Sequence, residues 1–298
     1  MLAAAAVLAV LLLGLVLVLP NRVAVAGWPA RAPVLGLLLW QAAGLAGGLL
    51  CLELIATVAL APLGDTQALA ASRVGSGHVP LGSWLAGAAG LLLLARMLGV
   101  LGVSTLRTVS ARRRNRLLVD LVSSRHLLLR GAAVVDHDVP LAYCLPGLRP
   151  RLVLSRGMLS RLSYDEVQAV LAHEQAHLDQ RHDLVVLPFV ALGATFPRLA
   201  AVRTARAEVA LLVELLADDR AARRHDRCLL ARALAKLGSG AAPAGAIGAA
   251  GQDVLLRSRR LLAPPDPLPR RQSAAVLALA LAVAACPLVG VLVPLLLR

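Results

Sequence analysis

The chain is poor in aromatic residues, lysine and cysteine, and each shortage excludes a class of protein. Phe, Trp and Tyr make up 2% of the 298 residues, which leaves little material for stacking the bases of single-stranded nucleic acid. The four cysteines do not form a disulfide framework, because Cys51 and Cys286 fall in long apolar stretches. Lys236 is the only lysine, so nearly all positive charge behind the formal net charge of +14 comes from arginine.

Long apolar runs dominate what is present. Hydrophobic residues make up 58% of the chain, well above the share in a typical soluble domain. Four stretches are long enough to cross a bilayer as helices: Leu2–Leu19, Pro33–Leu63, Trp84–Leu106 and Ser273–Leu297. No Lys or Arg precedes the first stretch, which favours a retained span over a cleaved signal peptide. The apolar run Leu184–Pro197 is too short to span and is expected to be a buried or membrane-surface helix.

The arginines indicate an orientation in the membrane. Arg107 and the cluster Arg112–Arg116 follow the third apolar stretch, and Arg270 and Arg271 precede the fourth. By the positive-inside rule, the region between these two stretches is cytoplasmic. Basic residues next to a span attract anionic lipid headgroups, so the expected partner of this charge is the bilayer and not nucleic acid. The sequence therefore predicts a membrane domain (1–106), a cytoplasmic domain (107–272) and a last transmembrane helix (273–298).

Two ionisable residues fall inside predicted spans. Glu53 lies in the second span and Arg96 in the third, where they either pair between helices or lie near a tilted or shifted helix end. Gly44 and Gly48 place small residues four apart on the second span, a pattern that permits close packing against a neighbouring helix.

The central motif of the predicted cytoplasmic domain is His173-Glu174-Gln175-Ala176-His177. On a helix, residues four apart share a face, so both imidazoles can reach one metal ion. Glu174 then lies within reach of a water bound to that ion and can act as a general base. Ser163 and Glu166 have the spacing of a capping box and predict where this helix begins. The pattern is the H-E-x-x-H signature of zinc peptidases.

A zinc peptidase site needs a third protein ligand. Glu214 can supply it from a later helix, and Asp218, one turn further on, can accept the outward N–H of a zinc-bound His and fix its tautomer. Alternatively, these two acids are solvated helix charges that pair with nearby arginines, Arg220 or Arg224. Glu208 is a rival third ligand, but no acid follows it one turn later.

Residues near the motif have weaker assignments. His182 lies five residues after His177, off the face shared by the two His, and is interpreted as a surface or supporting group. Cys144 is a conceivable but disfavoured zinc ligand. Leu141–Gly147 and Arg151–Ser155 read as two short strands around a Pro/Gly-rich connection. They form either a plain hairpin or an edge that holds substrate by strand addition.

The combined motifs resemble the integral-membrane zinc peptidases of the BlaR/MecR type, the protease parts of bacterial beta-lactam sensor-transducers. The resemblance runs from Ala142–Gly147 through Arg151–Ser155 and the H-E-x-x-H helix to Glu214–Asp218, and it includes the four spans. HtpX-like and CAAX-type membrane proteases share H-E-x-x-H and the later E-x-x-x-D. Because the sequence ends at Arg298, directly after the fourth span, beta-lactam sensing by a penicillin-binding domain of its own is not expected.

The resemblance implies a zinc-dependent endopeptidase that cuts a protein at the cytosolic membrane face, often a transcriptional repressor or the protease itself. The expected fold is a mainly α membrane protein with four transmembrane helices and an α+β gluzincin-type domain between the third and fourth. The expected cofactor is Zn²⁺, held by His173, His177 and Glu214. Glu174 would move a proton from water to the leaving amine, and Tyr143 and His225 are candidates for a second oxyanion donor.

Two other functions stay open at this level. One is a membrane quality-control protease of the HtpX kind, which would cut misfolded proteins at many positions. The other is a non-catalytic sensor or scaffold that keeps the zinc site for structure, although a structural site needs no base such as Glu174. The sequence does not indicate an oligomeric state.

Overall fold

The computed structural model describes residues 2–64, 72, 74, 77, 79–122, 124–126, 132–145, 151–238 and 247–288. The chain divides into two compact units. The apolar unit comprises residues 1–104, 188–209 and 268–298, and the sheet unit comprises residues 105–187 and 210–267. The predicted division at residues 106 and 272, which concerns membrane topology, stays a prediction.

All regular secondary structure in the described residues of the apolar unit is helical. Its elements before the sheet are α1 (Leu2–Leu13), a π-helical segment (Gly14–Val18), α2 (Leu19–Ala24), α3 (Trp28–Arg31), α4 (Pro33–Leu60), a 3₁₀ turn (Ala61–Leu63) and the first part of α5 (Leu81–Val122). Three stretches of helix in the described part of the chain are long and apolar enough to cross a membrane: Leu2–Ala24, Pro33–Leu63 and Leu81–Val119. They overlap the first three predicted spans.

The fourth predicted span is described only in part. Helix α12 covers Arg270–Ala285, and the end of the predicted span, from residue 289 onwards, lies outside the described residues. The run predicted to be too short for a span forms a 14-residue helix, α8 (His182–Thr195), with Pro188 inside it.

Helix α4 is central to the apolar unit and packs against α1 and α12. Its Trp40 side chain is almost completely buried. A Cβ atom added at Gly44 would lie 3.5 Å from Leu192, and one added at Gly48 would lie 3.3 Å from Met97. The predicted small-residue positions therefore both lie against neighbouring helices, as small residues in a membrane helix interface do.

Within the described residues, no ion pair joins Glu53 to Arg96, so of the two alternatives the pairing is wrong. The Nη2 atom of Arg96 donates to the carbonyl of Thr195 at 3.0 Å. Helices α4 and α5 run antiparallel in a register that sets Gly48 against Met97 and Gly90 against Ile55. In that register Arg96 lies about four residues, or roughly 6 Å along the helix axis, from the level of Glu53.

The described residues of the sheet unit contain a four-stranded mixed sheet and all or part of seven helices, some of them shared with the apolar unit. The strands are β1 (Ser124–His126), β2 (Ala132–Val135), β3 (Ala142–Leu145) and β4 (Arg151–Ser155). The helices after the sheet are α6 (Arg156–Arg161), α7 (Tyr164–Asp179), α8, α9 (Ala200–Ala221), α10 (Arg227–Gly238) and α11 (Ile247–Leu262). The strand order is β1-β2-β4-β3, with β2 and β4 parallel and the outer pairs antiparallel.

The two predicted strands are confirmed as β3 and β4, and β3 lies at one edge of the sheet. Side chains alternate between the two faces. One face, which includes Ala142 and Leu154, packs against α7, and the other, which includes Tyr143 and Val153, packs against Val119 of α5. Helices α7 and α5 therefore pack on opposite faces of the sheet.

The connection from β4 into α6 fixes the sheet beside the helices. The Oγ atom of Ser155 accepts hydrogen bonds from the backbone N–H groups of Met158 and Leu141, so it caps α6 and ties down the start of β3. At Gly157 the backbone passes close to the Asp138 carbonyl, and any side chain at position 157 would collide with that oxygen. Only glycine leaves room for this approach.

Candidate metal centre and active site

Helix α7 carries the H-E-x-x-H residues, and its first turn is fixed by the predicted capping box. The Oγ atom of Ser163 accepts from the N–H of Glu166 at 3.3 Å, and the Glu166 carboxylate accepts from the N–H of Ser163 at 2.8 Å. Lys236 of α10 donates to both oxygens of the buried Glu166 carboxylate at 2.7 and 2.8 Å. The start of the metal-binding helix is therefore tied to α10.

Three side chains form a set of metal donors. His173 and His177 face the same way from α7, and their Nε2 atoms are 3.1 Å apart. Glu214 of α9 places Oε2 3.3 Å from Nε2 of His173 and Oε1 3.5 Å from Nε2 of His177. A tetrahedral zinc ion with ligands at about 2.0–2.1 Å requires ligand atoms about 3.3–3.4 Å apart. The donor set therefore fits zinc in both chemistry and spacing, and it leaves the fourth position to water or substrate.

Asp218 lies behind the first His ligand. It follows Glu214 by one turn of α9, is 1% exposed, and holds Oδ1 2.9 Å from Nδ1 of His173. The ring N–H is not aimed straight at that oxygen, so the contact is a close charge pair and not a well-aligned hydrogen bond. Asp218 thus lies at the Nδ1 side of the His173 ring, and its predicted role in fixing the tautomer stays a prediction.

His182 lies behind the second ligand. It is 4% exposed, and its Nδ1 atom lies 2.9 Å from Nδ1 of His177. Its Nε2 atom lies 2.7 Å from Oε1 of Gln180. Of the two interpretations from the sequence, a surface group is wrong, because the chain turns sharply between α7 and α8 and buries the ring. The supporting role stays a prediction.

Arg257 of α11 is the residue of the site that sequence reasoning missed. Its Nε and Nη2 atoms each donate to the Asp218 carboxylate at 2.8 Å, and its Nη1 lies 2.8 Å from Oε2 of Glu214. Nη2 is also 3.4 Å from Nε2 of His173. Nothing in the sequence singles out this arginine, because it lies 39 residues after Asp218 in a helix with two further arginines.

The charges in this cluster act on one another strongly. Burial opposes a charge on His173, but the carboxylates of Asp218 and Glu214 outweigh it and raise the pKa of His173 to about 9. Burial also opposes the Glu214 carboxylate, but His173 and Arg257 lower the pKa of Glu214 to about 2. Burial together with the charge of His173 lowers the pKa of His177 to about 4. Glu214 is therefore an anion and His177 a neutral ring at neutral pH, and His173 releases a proton when a metal binds.

Glu174 lies between the metal donors and strand β3. Burial raises the pKa of its carboxyl group to about 7, with the charge of His173 opposing this change. Its carboxylate accepts hydrogen bonds from the thiol and the backbone N–H of Cys144. Burial and the nearby Glu174 charge raise the pKa of the Cys144 thiol to about 12. Cys144 therefore contacts the predicted base and is a neutral thiol.

Several predicted alternatives do not lie at the site. Within the described residues, the set of metal donors consists of His173, His177 and Glu214, without Glu208 or Cys144. Tyr143 points to the sheet face opposite α7, because it packs in the Val119 cluster. His225 lines a small pocket on another face of α7, with Gln175 and Asp179, and not the face of the two His ligands. Neither Tyr143 nor His225 is placed to stabilise an oxyanion.

Residues 108–236 match the family model described as peptidase family M48. The matched stretch contains the sheet, the H-E-x-x-H helix, Glu214 and Asp218. The protein is a zinc metallopeptidase. The prediction of an enzyme that hydrolyses peptide bonds is thereby confirmed. No curated protein and no solved structure matches the chain.

The family match of this zinc metallopeptidase ends at Lys236, so it stops before α11. Arg257, which contacts both Glu214 and Asp218, therefore comes from outside the matched stretch. The buried part of the candidate metal centre is therefore built partly from residues outside the matched stretch.

Proposed function

We propose that this zinc metallopeptidase is a membrane-embedded endopeptidase that cuts a protein substrate at the cytosolic face of the membrane. His173, His177 and Glu214 are the zinc ligands, and Glu174 is the base. The observation that carries the proposal is that the Nε2 atoms of His173 and His177, 3.1 Å apart, meet the Glu214 carboxylate, whose two oxygens lie 3.3 and 3.5 Å from them, beside the Glu174 carboxylate on the same helix as the two His. These separations are close to those between the ligand atoms of a tetrahedral zinc ion.

When bound, zinc supplies a Lewis acid that polarises the scissile carbonyl and activates water. The other steps belong to side chains of the chain itself. Glu174 takes a proton from the attacking water and delivers it to the leaving amine. Asp218 and His182 hold the two His rings from behind, and Arg257 holds both carboxylates, Asp218 and Glu214.

Strand β3 supports a mode of substrate binding. The N–H of Ser155 donates to the Leu141 carbonyl at 2.9 Å, so Leu141, Tyr143 and Leu145 direct their backbone groups to β4. Ala142 and Cys144 then direct theirs to the outer edge, where the Cys144 N–H meets Glu174. We infer that an extended substrate pairs with this edge and so brings its scissile bond to Glu174.

The regulatory role rests on the sequence resemblance to the BlaR/MecR type and on the three helices that can cross a membrane. It predicts one defined cut in one substrate, such as a transcriptional repressor. A quality-control protease would instead make many dispersed cuts. Terminal sequencing of peptides from native membranes, with wild type compared with Glu174→Gln, separates these functions by the number of cut sites that depend on Glu174.

The experiment that tests the metal centre is zinc content by elemental mass spectrometry on the detergent-purified chain. We expect about one zinc per chain in the wild type, as in other three-ligand catalytic sites. Glu214→Ala should lose it, whereas Glu208→Ala, the matched control on the same helix, should keep it. Zinc retained in Glu214→Ala, or absent from the wild type purified without chelators, would contradict the proposal.

A further inference from the structure

The turn between α7 and α8 brings His182 back onto His177. On a continuous helix, residues five apart point about 140° away from each other. Here the N–H of Gln180 still bonds to the Ala176 carbonyl, but Arg181 follows with a φ of 49°. A left-handed backbone conformation is unfavourable for a residue that carries a side chain. The chain adopts it at the one position that reverses the direction of His182.

The contacts of His182 define where its proton lies. Its Nε2 atom faces Oε1 of Gln180 at 2.7 Å, and a carbonyl oxygen can only accept, so Nε2 carries the hydrogen. In the neutral ring, Nδ1 is then the acceptor. Because this Nδ1 lies 2.9 Å from Nδ1 of His177, the hydrogen between them belongs to His177. The free lone pair of His177 is therefore on Nε2, the atom that faces His173 and Glu214.

We propose that His182 is a positioning residue for the metal centre: it fixes His177 in the tautomer whose Nε2 binds zinc. The two His ligands are then held by different chemistry, since His173 has the anion Asp218 behind it and His177 has a neutral ring. This assignment rests on the proposed zinc ligands. Its immediate consequence is that a chain without an acceptor at position 182 binds zinc more weakly, even though every ligand is present.

Zinc affinity of the full-length, detergent-purified chain tests this, by competition with a chromogenic chelator. His182→Phe fills the same buried space without an acceptor, and it should weaken zinc binding about 10- to 100-fold, the usual effect of removing a partner of a ligand. His182→Asn places an amide oxygen near the Nδ1 position and should restore most of the affinity. His225→Phe, which removes a histidine from another face of α7, should leave the affinity unchanged.

A purely structural role would give a different result. It would lower the unfolding temperature of the zinc-free protein in His182→Phe and leave zinc affinity as in the wild type. That result overturns the proposal, as does an equal loss of affinity in His182→Phe and His182→Asn. A wild type that binds no zinc rejects the proposed ligands themselves, whereas normal wild-type binding with an unaffected His182→Phe rejects only the role of His182.

A further measurement uses only the zinc-loaded wild type, so it does not depend on whether a variant folds. Ring nitrogen NMR of ¹⁵N-histidine distinguishes the two tautomers of each neutral ring. We expect His182 with its hydrogen on Nε2 and His177 with its hydrogen on Nδ1. A His182 ring with the hydrogen on Nδ1 cannot accept from His177 and would overturn the proposal.

Discussion

Arg257 and Asp218 form a bidentate ion pair inside the protein: two guanidinium nitrogens donate to the two carboxylate oxygens, each at 2.8 Å. Asp218 is 1% exposed and Arg257 is 9% exposed, so neither charge is satisfied by bulk water. The same guanidinium reaches the Glu214 carboxylate. The metal centre therefore contains its own countercharge, which α11 supplies.

Arg257→Met should destabilise the sheet unit by about 3–5 kcal/mol, because it leaves the buried Asp218 carboxylate without its partner. Urea unfolding of the purified chain in mild detergent measures this, with the sheet unit followed by hydrogen exchange. Arg259→Met is the matched control, since Arg259 is an exposed arginine two residues further along the same helix. Equal stability of the two variants would mean that the ion pair contributes nothing to folding.

Glu174→Gln should keep zinc and lose turnover. Glutamine has the size of glutamate but cannot take a proton from water, and removal of a general base typically costs 10²- to 10⁴-fold in rate. Cleavage of a substrate or of the chain itself is measured alongside zinc content. Proteolysis at the wild-type rate with zinc bound would assign the base to another residue.

Ala142→Pro tests strand addition at β3. Proline removes one backbone donor, and because the Ala142 N–H points away from β4, the sheet itself should be retained. Loss of one hydrogen bond to substrate should lower kcat/KM by about 3- to 10-fold, which corresponds to roughly 0.5–1.5 kcal/mol. The unfolding temperature serves as the control. An unchanged kcat/KM in a folded variant would exclude pairing at this position.

Glu166→Gln should change how stability depends on pH. Burial opposes the Glu166 charge, but Lys236 and the Ser163 N–H lower the pKa of this carboxyl group below its ordinary 4.5. The ionised group therefore stabilises the fold above about pH 4.5, and this contribution is lost as the pH falls through the lowered value. The difference in unfolding free energy between wild type and Glu166→Gln should be largest at neutral pH and should disappear in acid.

Wild type and Glu166→Gln have the same candidate metal centre, so the effect of pH on that centre cancels in the difference between their unfolding free energies. Lys236→Met provides the second comparison, since it removes the partner and should bring the Glu166 pKa back up. A difference that stays constant down to acid pH would mean that Glu166 is not charged in the fold.

Cys228 offers a native probe of membrane orientation. Its thiol is exposed at the start of α10, in the sheet unit. If this unit is cytosolic, a membrane-impermeant maleimide should label Cys228 in inverted vesicles and not in intact cells. Cys228→Ser identifies the labelled site. Labelling from the outside of intact cells would reverse the proposed topology.

Short-range features of the site could be predicted from the sequence. The capping box, the shared face of His173 and His177, and the one-turn spacing of Glu214 and Asp218 all follow from helix geometry, and all appear in the structure. Strands β3 and β4 could be identified from their composition, but the pairing of β4 with β2 could not, because it joins segments about twenty residues apart.

The features that the sequence did not reveal depend on a turn or on a distant contact. Helix periodicity places His182 off the face that the two His ligands share, and only the backbone at Arg181 brings it back against His177. Arg257 is one arginine among many, and its partner lies on another helix. The predicted Glu53–Arg96 ion pair does not form for a similar reason, since the register of α4 against α5 is set by glycine contacts and not by charge.

The contacts of α11 bear on where this catalytic domain ends. A fragment cut at Lys236, the last matched residue, would keep every proposed zinc ligand and the proposed base. It would also keep two adjacent acids, Asp218 and Asp219, whose arginine partners Arg257 and Arg260 both lie on α11. A fragment that keeps these acids paired must therefore extend beyond the matched stretch, at least through Arg260 on α11.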